Sequence, residues 1–491
     1  MKTKSYSHII FLLFIILIQN SFQVQLRWAF EIFRHGARTP YSGMTSDFVD
    51  CFGQKWFGLK ELTGVGLRQH FLVGYRNRIK YTQENKLISD TYDPREVFLI
   101  TTDSNRTIMS ANAQVQGLFM PGTGPKIFQN QSDFAVPPVK MEEISEEKKI
   151  LDESGFTALP DNMNVIPVHS FFNADHFIQL QDKKVCPNTV EYYKKNQERE
   201  EVVTFLKSMT EKYGEKMNEQ LIIKDKSKDV LMDYTKAYYI FDTIICRYTE
   251  GYPLPDLGTS DEELLKDSFK FFDLDLVGNG INNDEEICLH AMSPIFDRLL
   301  KWIDLKIEKD MKGDFDYTNH DLPKFVMFSA HDTTCAAFMG FMKKVFNTQS
   351  RYPHFATNIN LELYLNNKTD EIKKEDYIIE YIINDESIKN ISYNEFTKTL
   401  KENMKTMEEI NKFCGFNKSD DKKTDEPKSD TPSDRQEDKA EKRDKIFLGV
   451  DIGLGVVSLI LIIVISIISK KNSSNVKIDG MDRMRILDDN P

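Results

Sequence analysis

Positive charge is the scarcer sign in this chain. Its 491 residues hold 64 lysines and arginines against 76 aspartates and glutamates, a formal net charge of -12. With a pI near 5.4, general affinity for nucleic acid is excluded, because that affinity rests on a basic face that neutralises phosphates. No histidine or cysteine pair has zinc spacing, no glycine-rich phosphate loop occurs, and no segment repeats. The stretch "FDLDLVGNGINNDEE" (272–286) has the outline of a calcium loop. It places Val277 at position five and Asp284 at position twelve, where an oxygen ligand and a glutamate are needed, so it reads as a Gly/Asn-rich turn. No metal or organic cofactor is expected.

What is present begins at the two ends. Lys2 and Lys4 precede an apolar run from Ile9 to Ile18, and polar residues follow. That is the pattern of a secretory signal peptide, too short to span a bilayer, with cleavage expected near Ser21 to Val24. Ile446 to Ser469 carries Asp451 as its one charge, and as a helix it would reach ~36 Å, enough for a tilted crossing. Between Asn417 and Arg443 the chain is charged, without aromatics, and reads as a disordered stalk. The expected plan is a type I membrane protein: signal peptide 1–23, folded module 24–416, stalk 417–445, membrane helix 446–469 and cytosolic tail 470–491. In the tail, Asp482 precedes Ile486-Leu487 in the manner of an acidic dileucine sorting signal, which makes a sorting adaptor a partner to expect.

Hydrophobic content of 40% with 11% aromatics is enough for a sizeable core. "LRWAFEIF" (26–33), "EVFLITTD" (96–103), "PKFVMFSAHD" (323–332), "NINLELYL" (358–365) and "YIIEYIIND" (377–385) read as strands. Residues 62–81, 106–119 and 333–346 read as helices, the first with an apolar face of Leu62, Val65, Leu72 and Ile79. Alternation of strand and helix predicts an α/β fold, a mixed sheet with helices on both faces. Its core would span about 24–134 and 321–416, with a mainly helical cap about 135–320 inserted between them.

Open α/β sheets bind ligands beyond the carboxyl ends of their strands. The first strand delivers Arg34, His35 and Arg38 there, the second Arg106 and the third His331 and Asp332. Three guanidiniums, two imidazoles and a carboxylate make a cationic pocket of phosphate size with an acid beside it. Arginine suits that task because its planar fork pairs with phosphate oxygens in bidentate fashion.

"RHGARTP" (34–40), "LTGVGLRQHFLVG" (62–74), "TTDSNRTIMSA" (101–111), "IPVHS" (166–170) and "SAHDTT" (329–334) together resemble the histidine acid phosphatase family of the histidine phosphatase superfamily. The likeness covers most of residues 27 to 416 and is nearest the prostatic/lysosomal acid phosphatase-like branch. It implies a phosphate monoester substrate and a phosphohistidine formed on His35. Arg34, Arg38, Arg106 and His331 would bind the phosphoryl group, and Asp332 would protonate the leaving alcohol. It also implies a Cys186–Cys414 disulfide, leaves Cys51, Cys246, Cys288 and Cys335 unassigned, and leaves room for a homodimer. A narrower phosphatase acting on inositol polyphosphates or lysophosphatidic acid stays open, as does a non-catalytic phosphate-binding surface protein. His70 and His169 are expected to pack in the core. Sequons at Asn130, Asn367, Asn390 and Asn417 are expected glycan sites, and Asn105, beside Arg106, is expected bare.

Overall fold

The computed structural model describes residues 24–42, 47–171, 186–222, 229–277, 285–315, 322–366 and 371–416. The signal peptide, stalk, membrane segment and tail read from the sequence lie outside the described residues, as do Asn367, Asn417 and residues 278–284 of the calcium-like turn. Among the described residues, no helix is long and apolar enough to cross a membrane.

Seven strands form one mixed sheet in the order β3-β2-β4-β1-β5-β6-β7. In chain order they are β1 (Gln25–Arg34), β2 (Val97–Thr102), β3 (His169–Phe171), β4 (Phe325–Ala330), β5 (Asn358–Leu365), β6 (Tyr377–Ile383) and β7 (Glu386–Ser392). The first four run parallel, and β5, β6 and β7 add antiparallel pairs. The central strands are buried on both faces, which is why β1 and β4 read as near-continuous apolar runs rather than alternating ones.

The helices are α1 (Gly64–Arg78), α2 (Asn105–Leu118), α3 (Ser145–Glu153), α4 (Thr189–Gln197), α5 (Glu200–Gln220), α6 (Tyr234–Thr249), α7 (Asp261–Phe272), α8 (Glu285–Met311), α9 (Asp332–Phe346), α10 (Tyr393–Asn403) and α11 (Met407–Cys414). One sheet face, with Trp28, Phe30, Ile32, Val326 and Leu361, packs on α8 and α9 through Ile295, Phe296 and Phe338. The opposite face, with Ala29, Phe33, Leu99 and Met327, packs on α2 through Ala111, Val115 and Leu118. Helices α5 to α7 build a separate apolar cluster around Leu206, Tyr213, Phe241, Ile244 and Phe271. Cys186 and Cys414 form a disulfide that ties the stretch before α4 to the last helix across 228 positions.

The apolar face expected for the first helix is not the face it buries. Val65 and Leu72 are exposed, and α1 instead buries Gly66, His70, Gly74 and Asn77. The reason is close backbone approach: a Cβ on Gly74 would lie 1.8 Å from the carbonyl oxygen of Gln114, and one on Gly117 would lie 2.0 Å from that of Phe71. Glycine spacing, not hydrophobic spacing, marks the contact between α1 and α2. His169, expected in the core, is exposed on edge strand β3 and lies against Phe98.

This contact yields a stability prediction. Gly74→Ala forces α1 off α2 and lowers stability by about 1–3 kcal/mol or more, the cost of overpacking a tight contact. The urea midpoint of the full-length protein reads it, and an unchanged midpoint would mean the helices part without cost.

Candidate active site

Register brings the predicted residues together. Arg34 is paired with Ala330 across β1 and β4, and Thr101 with Ser329 across β2 and β4. Three parallel strands therefore end flush, and the residues just past them share one edge of the sheet. Helices α2 and α9 begin at that edge, so their positively polarised N-termini lie beside Arg106 and Asp332.

The loop after β1 is held by small residues. A Cβ on Gly36 would lie 2.5 Å from the Gly66 carbonyl oxygen, and one on Gly66 would lie 2.2 Å from that of Ala37. The start of α1 thus rests directly on the backbone of the His-Gly-Ala turn, where the Thr63 hydroxyl caps the helix by accepting from Gly66 N–H.

His35 is buried. Its Nδ1 lies 2.8 Å from the carbonyl oxygen of Gly36; a carbonyl only accepts, so Nδ1 carries the hydrogen and Nε2 keeps a lone pair. Burial, and then Arg34, Arg106 and Arg38, hold its pKa well below the ordinary imidazole value. The ring stays neutral, and so able to act as a nucleophile, under acid conditions that charge a free histidine.

Arg34 donates to the Tyr352 hydroxyl and the Pro353 carbonyl, both at 2.8 Å, and pairs with Asp332 at 2.7 Å. Its guanidinium also stacks over Phe355 at 4.4 Å. Arg38 is gripped by Asp242 through both terminal nitrogens, at 2.7 and 3.2 Å. The second carboxylate oxygen of Asp242 also accepts from Tyr41 N–H. Arg106 has no carboxylate partner among the described residues; it donates to His331 Nδ1 at 3.2 Å. Burial and Arg38 lower its pKa to about 10. The Nε atoms of Arg34 and Arg106 are buried donors without a hydrogen-bond partner among the described residues.

His331 is engaged at both nitrogens. With Arg106 donating to Nδ1, Nε2 carries the hydrogen and donates to the Thr102 hydroxyl at 2.9 Å. Burial and Arg106 lower its pKa to about 3. Burial pushes the Asp332 carboxyl up, but Arg34 and Arg38 still hold it below the usual carboxylate value, so in this arrangement it is ionised. All six predicted residues meet at one edge, where three guanidiniums face two carboxylates and two neutral imidazoles. Such a site favours a small, multiply charged oxyanion.

Sequence reasoning missed Asp242, Thr102, Tyr352 and Phe355. Asp242 comes from α6, two hundred positions after Arg38, and no periodic pattern flags it. Asn105 donates its amide to the Glu61 carboxylate at 3.2 and 3.3 Å. Cys51, Cys246 and Cys335 are buried thiols, and Cys246 lies 3.5 Å from Arg38. Among the described residues, no cluster of His, Cys, Asp and Glu could hold a metal ion.

The sequence profile of the histidine phosphatase superfamily (branch 2) matches residues 25–384. A lysosomal acid phosphatase of Xenopus laevis is 24% identical over 316 residues, covering 64% of this chain and 61% of that protein. A prostatic acid phosphatase of Bos taurus is 25% identical over 342 residues, 69% of this chain and 74% of that protein. The structure of a phytase from Citrobacter braakii overlays with a TM-score of 0.49 at 13% identity, covering 80% of this chain and 99% of the phytase.

Removing Asp242 tests the charge balance. Asp242→Ala leaves Arg38 buried and unpaired, which costs roughly 3–5 kcal/mol of stability. Inorganic phosphate, by supplying the missing negative charge, should raise the thermal midpoint of this variant more than that of the unaltered protein. Equal shifts would show that the anion does not reach Arg38.

Proposed function

The chain belongs to the histidine phosphatase superfamily, branch 2, and from that footing we propose that it is an acid phosphatase hydrolysing phosphate monoesters through a phosphohistidine on His35. The observation that carries this reading is the neutral, buried His35 with its free Nε2 among three arginines. Binding alone needs no nucleophile, whereas this imidazole keeps a free lone pair at the place where the three guanidiniums would hold an anion.

Nε2 of His35 attacks phosphorus, the bond to the ester oxygen breaks, and the departing alkoxide takes a proton from Asp332. Water then attacks the phosphohistidine, the P–N bond breaks, Asp332 regains a proton and phosphate leaves. Arg34, Arg38 and Arg106 stabilise the charge that develops on the phosphoryl oxygens. His331 joins them by exchanging one of its present partners for an oxygen.

Asp332 is ionised in the free site, which at first sight conflicts with a role as acid. Arrival of a dianion resolves the conflict. Two negative charges laid against Arg34, Arg38 and Arg106 cancel the field that holds the carboxyl down and repel its ionised form, so substrate binding itself drives protonation.

The wider plan belongs to the same proposal. Residues 24–416 would form the catalytic module, displayed outside the cytosol and tethered by the stalk and the membrane helix 446–469. Within the expected cap of about 135–320, helices α4 to α7 would cover the site, with Tyr41 stacked on Tyr239 and Tyr238 edge-on to both. Similarity to lysosomal acid phosphatases and the tail motif support an endolysosomal address.

Two variants of the full-length protein separate the chemical roles. His35→Ala should form no phosphoenzyme with any ester. Asp332→Asn should lose ~10²–10⁴-fold on an alkyl phosphate, the range for general acid catalysis, and much less on a nitrophenyl phosphate, whose leaving group needs little protonation. Rapid-quench measurement of phosphoenzyme formation decides; equal losses on both esters would move the acid role away from Asp332.

A further inference from the structure

Behind the nucleophile lies a chain of buried polar groups that the proposed chemistry does not use. His70, fully buried on α1, places Nε2 3.0 Å from the main-chain oxygen of Arg34, the carbonyl of the Arg34–His35 peptide. Its Nδ1 lies 2.9 Å from Gln114 Oε1 on α2, and Gln114 Nε2 donates to Glu31 Oε2 at 2.7 Å. Glu31 is fully buried in the middle of β1 and also receives Asn77 at 2.8 Å and Asn358 at 3.2 Å.

Counting hydrogens restricts how this chain is protonated. Both His70 nitrogens face oxygens that only accept, so with Gln114 as it stands the ring is an imidazolium and Glu31 a carboxylate. Turning the Gln114 amide end for end changes no heavy-atom position. The amide then donates to Nδ1 of a neutral His70, and its oxygen receives a hydrogen from a protonated Glu31. Either way the three side chains hold one proton, and with none at least one contact opposes two acceptors or two donors.

We propose that Glu31, Gln114 and His70 form a positioning relay that fixes the Arg34–His35 peptide while it holds one proton and loosens when that proton leaves. The proposal rests on the hydrolase reading above, since the peptide it fixes carries the nucleophile. Burial raises the Glu31 pKa to about 8, against its three amide donors, and lowers that of His70 to about 4. The proton therefore sits on Glu31 with the amide turned, because full burial penalises the imidazolium–carboxylate alternative at both ends. The other titratable groups around Glu31 keep their own partners. Asp385 pairs with Arg76 at 2.9 Å, and Glu362 binds Lys80 and the Tyr81 hydroxyl, both at 2.6 Å.

The folded chain holds a proton on Glu31 between about pH 4.5 and 8 that the unfolded chain releases, so this group makes stability fall as pH rises through that window. Glu31→Gln keeps the shape and carries a permanent N–H in place of the titrating one. On a nitrophenyl phosphate, the alkaline limb of kcat in full-length Glu31→Gln should move up by about one pH unit or more, and its thermal midpoint should fall less between pH 5 and 8. His70→Gln keeps a donor for the Arg34 oxygen without reaching Gln114. It should lose roughly tenfold in kcat with little change in KM, and adding Glu31→Gln to it should no longer move the limb.

Coincident kcat limbs alongside diverging thermal curves would make Glu31 a buried acid only and overturn the relay. If the unaltered protein hydrolyses no ester at any pH, the hydrolase reading falls, and the thermal comparison still reports the seat of the proton. Coincident thermal curves overturn the relay whether or not the protein is active.

Discussion

Buried guanidiniums repel one another. Two unit charges about 5 Å apart cost roughly 3 kcal/mol at the effective dielectric of a protein interior near its surface, and desolvation adds to that. Arg34 and Arg38 are each only 2–3% exposed, so leaving either unpaired would cost stability. Asp332 on α9 and Asp242 on α6 offset two of the three charges. Arg106 is left to lean on a neutral imidazole, and its pKa is lowered by burial and then by the nearby charge of Arg38. This uncompensated positive potential is what an otherwise acidic protein needs if it is to collect a phosphate dianion.

The same constraint explains the layout around it. Charges this close must be fixed, because any freedom would let them separate, and the fixing comes from backbone. The Arg34 and His35 N–H groups donate to Thr357 and Ala330 oxygens at 2.9 and 3.0 Å. The Gly36–Gly66 contact then locks the turn. On the face of the sheet toward α1, β5 presents Asn358, Asn360 and Glu362 where β1 presents Glu31, a polar layer inside a hydrophobic protein. Each member finds a partner there, as a buried polar layer must if it is not to cost more than an apolar one.

Much of the fold was legible because it is written in contiguous apolar runs. The limits of β1, β2, β4 and β5 fall within two residues of the stretches read as strands, and the six site residues lie at or shortly after the ends of such strands. What stayed hidden was either short, polar or distant. β3 has three residues, and β7 is an edge strand with mostly exposed side chains, so neither shows alternation. The buried face of α1 was misread because its determinant is glycine at 66 and 74 with His70 between them. That i, i+4, i+8 spacing was a usable signal, but hydrophobicity drew attention to Leu72 instead. Asp242 and Gln114 sit far along the chain from their partners, and nothing local separates them from ordinary helix-surface residues. Glu31 looked like a polar interruption in an apolar strand, and only the depth of its burial shows that it has a partner set of its own.

The two carboxylates bound to arginines differ in a way that fits different tasks. Asp242 grips Arg38 through both oxygens, accepts Tyr41 N–H besides and is buried. An anion arriving at Arg38 cannot easily displace so many bonds, and Asp242 stays a fixed counter-charge. Asp332 touches Arg34 through one oxygen and its neighbour Thr333 N–H through the other, with its side chain 17% exposed. A phosphoryl oxygen competing for Arg34 breaks a single ion pair and frees that carboxyl on the open side of the site. Position at the first residue of α9 favours its ionised form in the free protein, and a dianion beside it reverses that preference. In the proposed reaction the acid is thus the carboxylate that a substrate could dislodge, and the structural partner is the one that it could not.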